Sequence, residues 1–452
     1  MEIYIAGAGA GKTTTMANNI IKLREEIEEY KIIFCITFTN NATSCIKSKL
    51  INYYGVIPKN ILVSTIHSFL YQQFIRPYYF LLYEKQYEQI STVDLPSVPM
   101  HKNKKIKSLD DRNILHQTVI PERAKWIIYQ KSRDTKSIKD KRKIINKIFA
   151  DYCGAICIDE AQDIDSDMRI IIEKFCEMGI YVLLMGDPKQ DLKGHKSLRT
   201  LVEKYKDTVK YINVCHRCPK EHLNLSNFLV NSQEKQQSDK VNGIITLQFE
   251  TEKSCIEVMK QGSFDLAYIS KKQGKFDTHQ AKRKDGVLNL AEEIEAIIQV
   301  YHKSVSKVIL KRFSYYYAEK LIENYNNTND KKKALLETFK KYEKFKREEY
   351  IILMNSIPEP EHSSIVTNEK VIVSSIDSIK GQEGENCLFV LTTDLAAYLF
   401  GNKKDENVTK SRLYVALTRS LDKLTIFITE EVEKKYTRNT ILDFFKTYLR
   451  VL

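Results

Sequence analysis

No run of apolar residues in this sequence is long enough to cross a bilayer as a helix, which excludes a helical membrane-spanning class. Nothing resembling a secretory leader precedes the first apolar stretch, so none is expected. Cysteine is scattered: there are nine, an odd number, and Cys215 and Cys218 form a C-x-x-C with no second pair at zinc-ligand spacing. Neither a disulfide framework nor a structural zinc site is expected from that usage; reduced thiols in a cytoplasmic protein are. Solenoid-type repeats and low-complexity linkers are also lacking.

What is present is length and positive charge. A chain of 452 residues suits roughly two to four domains. The formal net charge is +13, and His101 to Lys147 alone holds 15 Lys/Arg against 5 Asp/Glu. A segment this basic suits a polyanion, with nucleic acid the first candidate. Short apolar runs recur at KIIFCIT, NILVST, GAICID, YVLLMGD and VKYINV, and again at KVIVSS, NCLFVLTT and KLTIFIT, with helical patterns between them. Strands alternating with helices in two clusters predict two parallel α/β domains. Residues 74–144, aromatic then basic, and residues 276–365, helical and charged, read as insertions. In the second, Leu335, Phe339 and Tyr342 share a helical face.

The stretch AGAGAGKTTT, Ala6 to Thr15, carries the first chemistry. The short apolar strand MEIYIA precedes it, and Met16, Ile20, Leu23 and Ile27 follow at helical spacing. Gly7, Ala8, Gly9, Ala10 and Gly11 are small enough for backbone N–H groups to converge on phosphate oxygens at a helix N-terminus, with Thr13 and Thr14 opening the helix. Lys12 is placed to reach the β- and γ-phosphates, and the Thr13 hydroxyl to hold Mg²⁺. A second apolar strand, GAICI, ends in Asp159 and Glu160 of DEAQD. Carboxylates at that edge of a parallel sheet lie beside the phosphate loop. Asp159 is the candidate second metal ligand and Glu160 the candidate polariser of attacking water. LLMGDPKQ then places Gln190 as a sensor of the γ-phosphate. Arg217 in HRC and Arg419 in YVALTRS are candidate cations for the charge that rearranges during hydrolysis.

These motifs stand in the order of superfamily 1 helicases of the UvrD/PcrA/Rep type, which the chain resembles over nearly its full length. AGAGAGKTT resembles motif I, ITFTNNAT motif Ia, TIHSF motif Ib, DEAQD motif II and GDPKQ motif III. VCHRC resembles motif IV, SSIDSIKGQEGE motif V and YVALTR motif VI. The resemblance implies an α/β fold of two RecA-like motor domains, each interrupted by a small, mainly helical insertion. The corresponding bounds are 1–73 with 145–215 for the first motor domain and 216–275 with 366–452 for the second; 74–144 and 276–365 are the insertions. It adds Glu383 to the residues that bind ATP and Mg²⁺. It also implies that Thr37, Phe38, Asn40, Thr65, His67, Ser375 and Lys380 line a channel for single-stranded DNA.

Several positions differ from the family pattern. The upstream glutamine motif that reads adenine has no room before the loop, His216 replaces an aromatic residue, and Asp377 replaces a histidine. His195 stands at about the place of the base-stacking aromatic after motif III. The implied function is ATP hydrolysis coupled to 3′→5′ translocation on single-stranded DNA. The alternative is a subunit that senses DNA ends or nucleotide state and regulates a partner nuclease. The compact size resembles helicase subunits of bacterial defence systems such as Gabija, which work beside an OLD-family nuclease.

Overall fold

The computed structural model describes residues 1–96, 98–240, 243–271, 273–279, 286–302, 304–340, 345–358 and 371–446. In chain order its strands are β1 (Glu2–Ala6), β2 (Ile32–Thr37), β3 (Ile61–Thr65), β4 (Gln89–Ser91), β5 (Ile114–His116), β6 (Cys153–Ile158) and β7 (Tyr181–Gly186). They continue with β8 (Val209–Ile212), β9 (Ile244–Phe249), β10 (Leu266–Ile269), β11 (Phe276–His279), β12 (Val371–Ser375), β13 (Gly384–Leu391) and β14 (Ser420–Ile428).

Two six-stranded sheets follow, in the orders β3-β2-β6-β7-β1-β8 and β11-β12-β10-β13-β14-β9. Every pairing within them is parallel. Parallel strands are covered on both faces, which is why IIFCIT, CGAICI and YVLLMG read as near-continuous apolar runs. The architecture is α/β with two RecA-like sheets. Because the first sheet is parallel throughout, the turns after β1, β2, β3, β6 and β7 emerge at one edge. That edge holds the candidate residues from Gly7 to His195.

Aromatic packing secures the first sheet. Phe34 of β2 meets Phe69 and Phe149 at ring-centroid distances of 5.1 and 5.8 Å, and Phe74 and Phe175 join the same cluster. All five rings are buried. Phe149 belongs to the helix Lys136–Tyr152, whose N-cap Thr135 accepts the Ile138 N–H. Across the second sheet, Tyr268 stacks on Phe389 and donates its hydroxyl to Ala416 O at 2.7 Å.

The chain forms two compact units: Met1–Phe74, Ala124–Ala281 and Glu369–Leu452 make the first, and Ile75–Arg123 with Lys282–Asn368 the second. Both sheets belong to the first. The stretch 124–144, grouped by composition with the basic insertion, falls in the first unit. The helix Ile120–Ile128 is strapped to Lys136–Tyr152 by Arg142, which donates to Trp126 O, and by Asn146, which donates to Ile128 O at 2.8 Å.

The second unit draws on both insertions. Thr92 donates to Glu292 at 2.7 Å, the Asp94 N–H donates to Asn289 at 3.1 Å, and Lys105 pairs with the buried Glu293. Leu335 and Phe339 share a buried cluster with Leu290, Ile294 and Leu321. Tyr342, the third residue of that expected face, lies outside the described residues, as does the expected boundary at 365/366. Among the described residues no helix is long and apolar enough to cross a membrane.

Candidate functional site

The loop after β1 closes into the helix Lys12–Glu26 through two left-handed glycines, Gly9 at φ 67° and Gly11 at φ 72°. Other residues adopt that conformation only with strain. Space is equally restrictive: a Cβ on Gly9 would strike Arg217, and one on Gly7 would strike Gln236. Lys12 Nζ donates to Gly7 O at 3.3 Å, so the cation lies across the loop. Thr13 Oγ1 donates to Asp159 Oδ2 at 3.4 Å, which brings the ends of β1 and β6 together.

Asp159 is fully buried and accepts the Glu160 N–H at 2.9 Å. Burial, with the neighbouring Glu160 carboxylate, pushes its acid dissociation up to about 6. Burial also pushes Glu160 up, but Lys12, Lys380 and the amide of Gln162 outweigh it and hold that carboxyl below its ordinary range. The backbone of Glu160 is left-handed at φ 55°, an uncommon conformation for this residue type that recurs where a side chain must be aimed. Gln162 bonds to Glu160 and accepts the Asp187 N–H at 2.9 Å, so the turns after β6 and β7 are tied. Gln190 Nε2 in turn donates to Asp187 Oδ2 at 2.9 Å. Lys12, Thr13, Asp159, Glu160 and Gln190 therefore form one connected group.

Arg217 and Arg419 approach from the other side. The Arg217 side chain passes over Gly9 and pairs with Glu383. Arg419 is buried, donating to Val415 O at 3.0 Å, Gln382 O at 3.3 Å and Thr418 Oγ1 at 3.2 Å. Burial and then the charge of Arg217 lower its proton affinity, although no carboxylate contacts it in these bonds. The Arg217 charge that disfavours the Arg419 cation would be offset by a polyphosphate anion, which both guanidinium groups are suited to hold.

Sequence reasoning missed the residues that hold the loop to the second sheet. Tyr414 OH accepts the Ala8 N–H at 3.2 Å and donates to Gln236 Oε1 at 3.0 Å, while Gln236 Nε2 donates to Ala8 O at 3.0 Å. Tyr414 opens YVALTR and was legible as part of that motif; Gln236, in a polar stretch, carried no signal. The buried Lys189 was missed too: it pairs with Asp187 at 2.8 Å and Glu234 at 3.2 Å.

The strand-contact candidates are divided between the two sheets. Thr37 is buried, its hydroxyl bonded to Thr39 O at 3.1 Å and Thr43 Oγ1 at 2.6 Å. Phe38 is half-buried and Asn40 exposed. Thr65 caps the short helix Ile66–Leu70, and the half-buried His67 is held below its ordinary proton affinity by burial and by Lys193. His195 is exposed on a loop that Asp191 organises by accepting N–H bonds from Lys193, Gly194 and Lys196. On the second sheet Ser375 accepts the Ser378 N–H at 3.2 Å, and Lys380 pairs with Asp163 at 2.9 Å. Asp377, the departure from the family histidine, holds Arg412 through two bonds at 2.9 and 2.7 Å.

The donor set fits magnesium-bound nucleotide triphosphate: a glycine-permitted loop at a helix N-terminus, one lysine across it, and a hydroxyl and carboxylate of the hard oxygen type that Mg²⁺ selects. Residues 3–152 match the UvrD/REP helicase N-terminal domain. The chain carries a UvrD-type helicase domain. That UvrD/REP match takes in the phosphate loop, Thr37–Asn40 and Thr65–His67, and ends before Asp159. The chain is also 28% identical over 258 residues to Gabija protein GajB of Bacillus cereus (strain VD045), covering 54% of this chain and 50% of that protein. Among solved structures, that of the PRRSV helicase aligns with 94% of this chain and 52% of its own, at 10% identity and a TM-score of 0.35. The chain thus spans about half the length of each of these two proteins.

Proposed function

We propose that this UvrD-type protein is a DNA-stimulated ATPase that moves 3′→5′ along single-stranded DNA. One observation carries the reading: Thr13 of the phosphate loop contacts Asp159, with Glu160 beside it and Gln190 joined through Asp187 and Gln162. In it, Thr13 and Asp159 hold Mg²⁺, and Lys12 with the loop N–H groups of Gly7 to Thr14 holds the phosphates. The metal supplies charge neutralisation at the phosphate oxygens when bound. Glu160, kept ionised by Lys12 and Lys380, orients water, and Gln190 reads the γ-phosphate. Arg217, Arg419 and Glu383 come from the part of the chain beyond β8, so charge at the nucleotide governs how that part closes. Removal of an arginine of this kind lowers turnover by about 10³–10⁵.

Thr37, Phe38, Asn40, Thr65, His67, His195, Ser375 and Lys380 supply hydroxyls, amide, cation and rings, a set that suits backbone phosphates and stacked bases without sequence preference. The likeness to a Gabija protein supports a place in an antiphage defence complex beside a nuclease of the OLD family.

A second reading has its own support. Tyr414 occupies the Ala8 N–H, a donor that a phosphate would use, which suits a subunit that senses nucleotide and drives a nuclease with little unwinding. ATP turnover with and without single-stranded DNA, with Glu160→Gln as control, separates the two. DNA-stimulated turnover lost in the control is the expected result. Negligible turnover with DNA still bound would overturn the motor in favour of the sensor.

A further inference from the structure

A second concentration of positive charge lies outside the phosphate loop. The loop 129–134, the helix Lys136–Tyr152 and Lys174 surround an open cavity of about 460 Å³, a size suited to a mononucleotide. It shares no lining residue with the nucleotide site. Six cations line it: Lys131, Arg133, Lys139, Arg142, Lys143 and Lys174. Asp134 is its single lining carboxylate, and that group is already engaged: it is buried, pairs with Arg142 and accepts the Lys131 N–H at 2.8 Å. Lys143 and Lys174 have acidic neighbours in Asp140 and Glu177. Arg133 and Lys139 make no ion pair among the described residues. The uncompensated charge is therefore positive.

The floor of the cavity is fixed in place. Arg142 is 6% exposed and clamped on Trp126 O at 2.8 Å. Asn146 is 9% exposed and donates Nδ2 to Ile128 O, but its Oδ1 is buried without a partner. Native proteins rarely leave such an acceptor unpaired. A small inorganic anion satisfies the cations, but even hydrogenphosphate carries its O–H on the same compact group that the cations hold, whereas Asn146 requires a donor of its own. A nucleoside phosphate brings both, the charge on its phosphate and the donor on its base or sugar.

We propose that this cavity binds a nucleoside phosphate, either free in solution or at the phosphorylated end of a DNA strand. The protein carries its own reporter: Trp126 is the single tryptophan, and Lys131 stands over its ring at 4.2 Å. The experiment titrates the full chain carrying Lys12→Ala, which disables the phosphate loop, and follows Trp126 fluorescence. The probes are AMP, inorganic phosphate, and a short DNA strand with or without a 5′-phosphate.

A saturable response is expected, weakened roughly tenfold in affinity by the exposed pair Arg133→Glu and Lys139→Glu. Asn146→Ala is expected to erase the preference for AMP over inorganic phosphate while phosphate still binds. AMP saturating below the strand assigns the site to a free nucleotide. A phosphorylated strand that binds more tightly than both AMP and its unphosphorylated twin assigns it to strand ends. No response to any probe, or a response untouched by the two charge reversals, overturns the proposal.

Discussion

At the scale of single residues, the site is built from charges whose partners were chosen by burial. Among the described residues Lys12 makes its hydrogen bond to a backbone carbonyl of its own loop and no direct ion pair, which leaves the cation available to phosphate. Lys12→Ala is expected to abolish ATP turnover while leaving the circular dichroism of the fold unchanged; turnover at the wild-type rate would remove the loop from the chemistry. Cys215 offers a second residue-scale test. The thiol of Cys218, with backbone N–H groups and the charge of Arg217, outweighs burial and lowers the Cys215 thiol to about 6. Cys218 moves the opposite way, held protonated first by that same bond and then by burial. A lowered thiol is ionised above its shifted value, so ultraviolet thiolate absorbance should rise through about pH 6. Cys215→Ser should remove that step and Cys218→Ala should move it upward. A profile unchanged by Cys215→Ser would contradict the pairing. The motif C-x-x-C was visible in the sequence; its place beside Gly9 was not, because only the folded chain brings residue 215 to residue 9.

At the scale of elements, loop and strand edge are held by bonds that a nucleotide must compete with. Tyr414→Phe frees the Ala8 N–H and unlinks Gln236. One such bond contributes about 0.5–1.5 kcal/mol net, so nucleotide should bind roughly two- to tenfold more tightly in the absence of DNA. Equal affinity in calorimetry would show that Tyr414 and the ligand do not share the donor. In the hydrophobic layer, Phe149→Ala removes a ring from a cluster of five and should lower stability to chemical denaturation by about 3–5 kcal/mol. The strands that the sequence made legible are those with strong apolar runs: β1, β2, β3, β6, β7, β8, β12, β13 and β14 all fall on the expected segments. β4, β5, β9, β10 and β11 escaped it. IITLQF and FDTH mix polar residues into the run, and LAYI and FDTH have four residues each, too few for a period to emerge. The phosphate loop and the acidic turn were legible for the opposite reason, since their chemistry needs particular residues at fixed spacing within one turn.

At the scale of the whole molecule, the second unit depends on pairing across two distant parts of the chain. Lys105 and the buried Glu293 are one such link, with one Glu293 oxygen already unpaired. Lys105→Met removes the direct ion pair of that buried carboxylate, leaving only the charge of Arg112 to offset it, and should cost about 3–5 kcal/mol locally. Hydrogen exchange in the helix Gly286–Tyr301 should accelerate while β1 and β7 stay protected; unchanged exchange in that helix would show the pair to be dispensable. No local pattern in the sequence announced that the two insertions share one body, because the contacts between them are carried by single residues about 200 positions apart. The consequence falls on biosynthesis. Val93, Leu109 and Ile114 are buried with Ala296, a residue made long after them. About 160 residues separate the two halves of that unit, so at roughly 5–20 residues per second the first half waits on the order of ten to thirty seconds. For that interval its apolar side chains face the ribosome exit and the cell's chaperones rather than their partners, and synthesis speed becomes a determinant of yield.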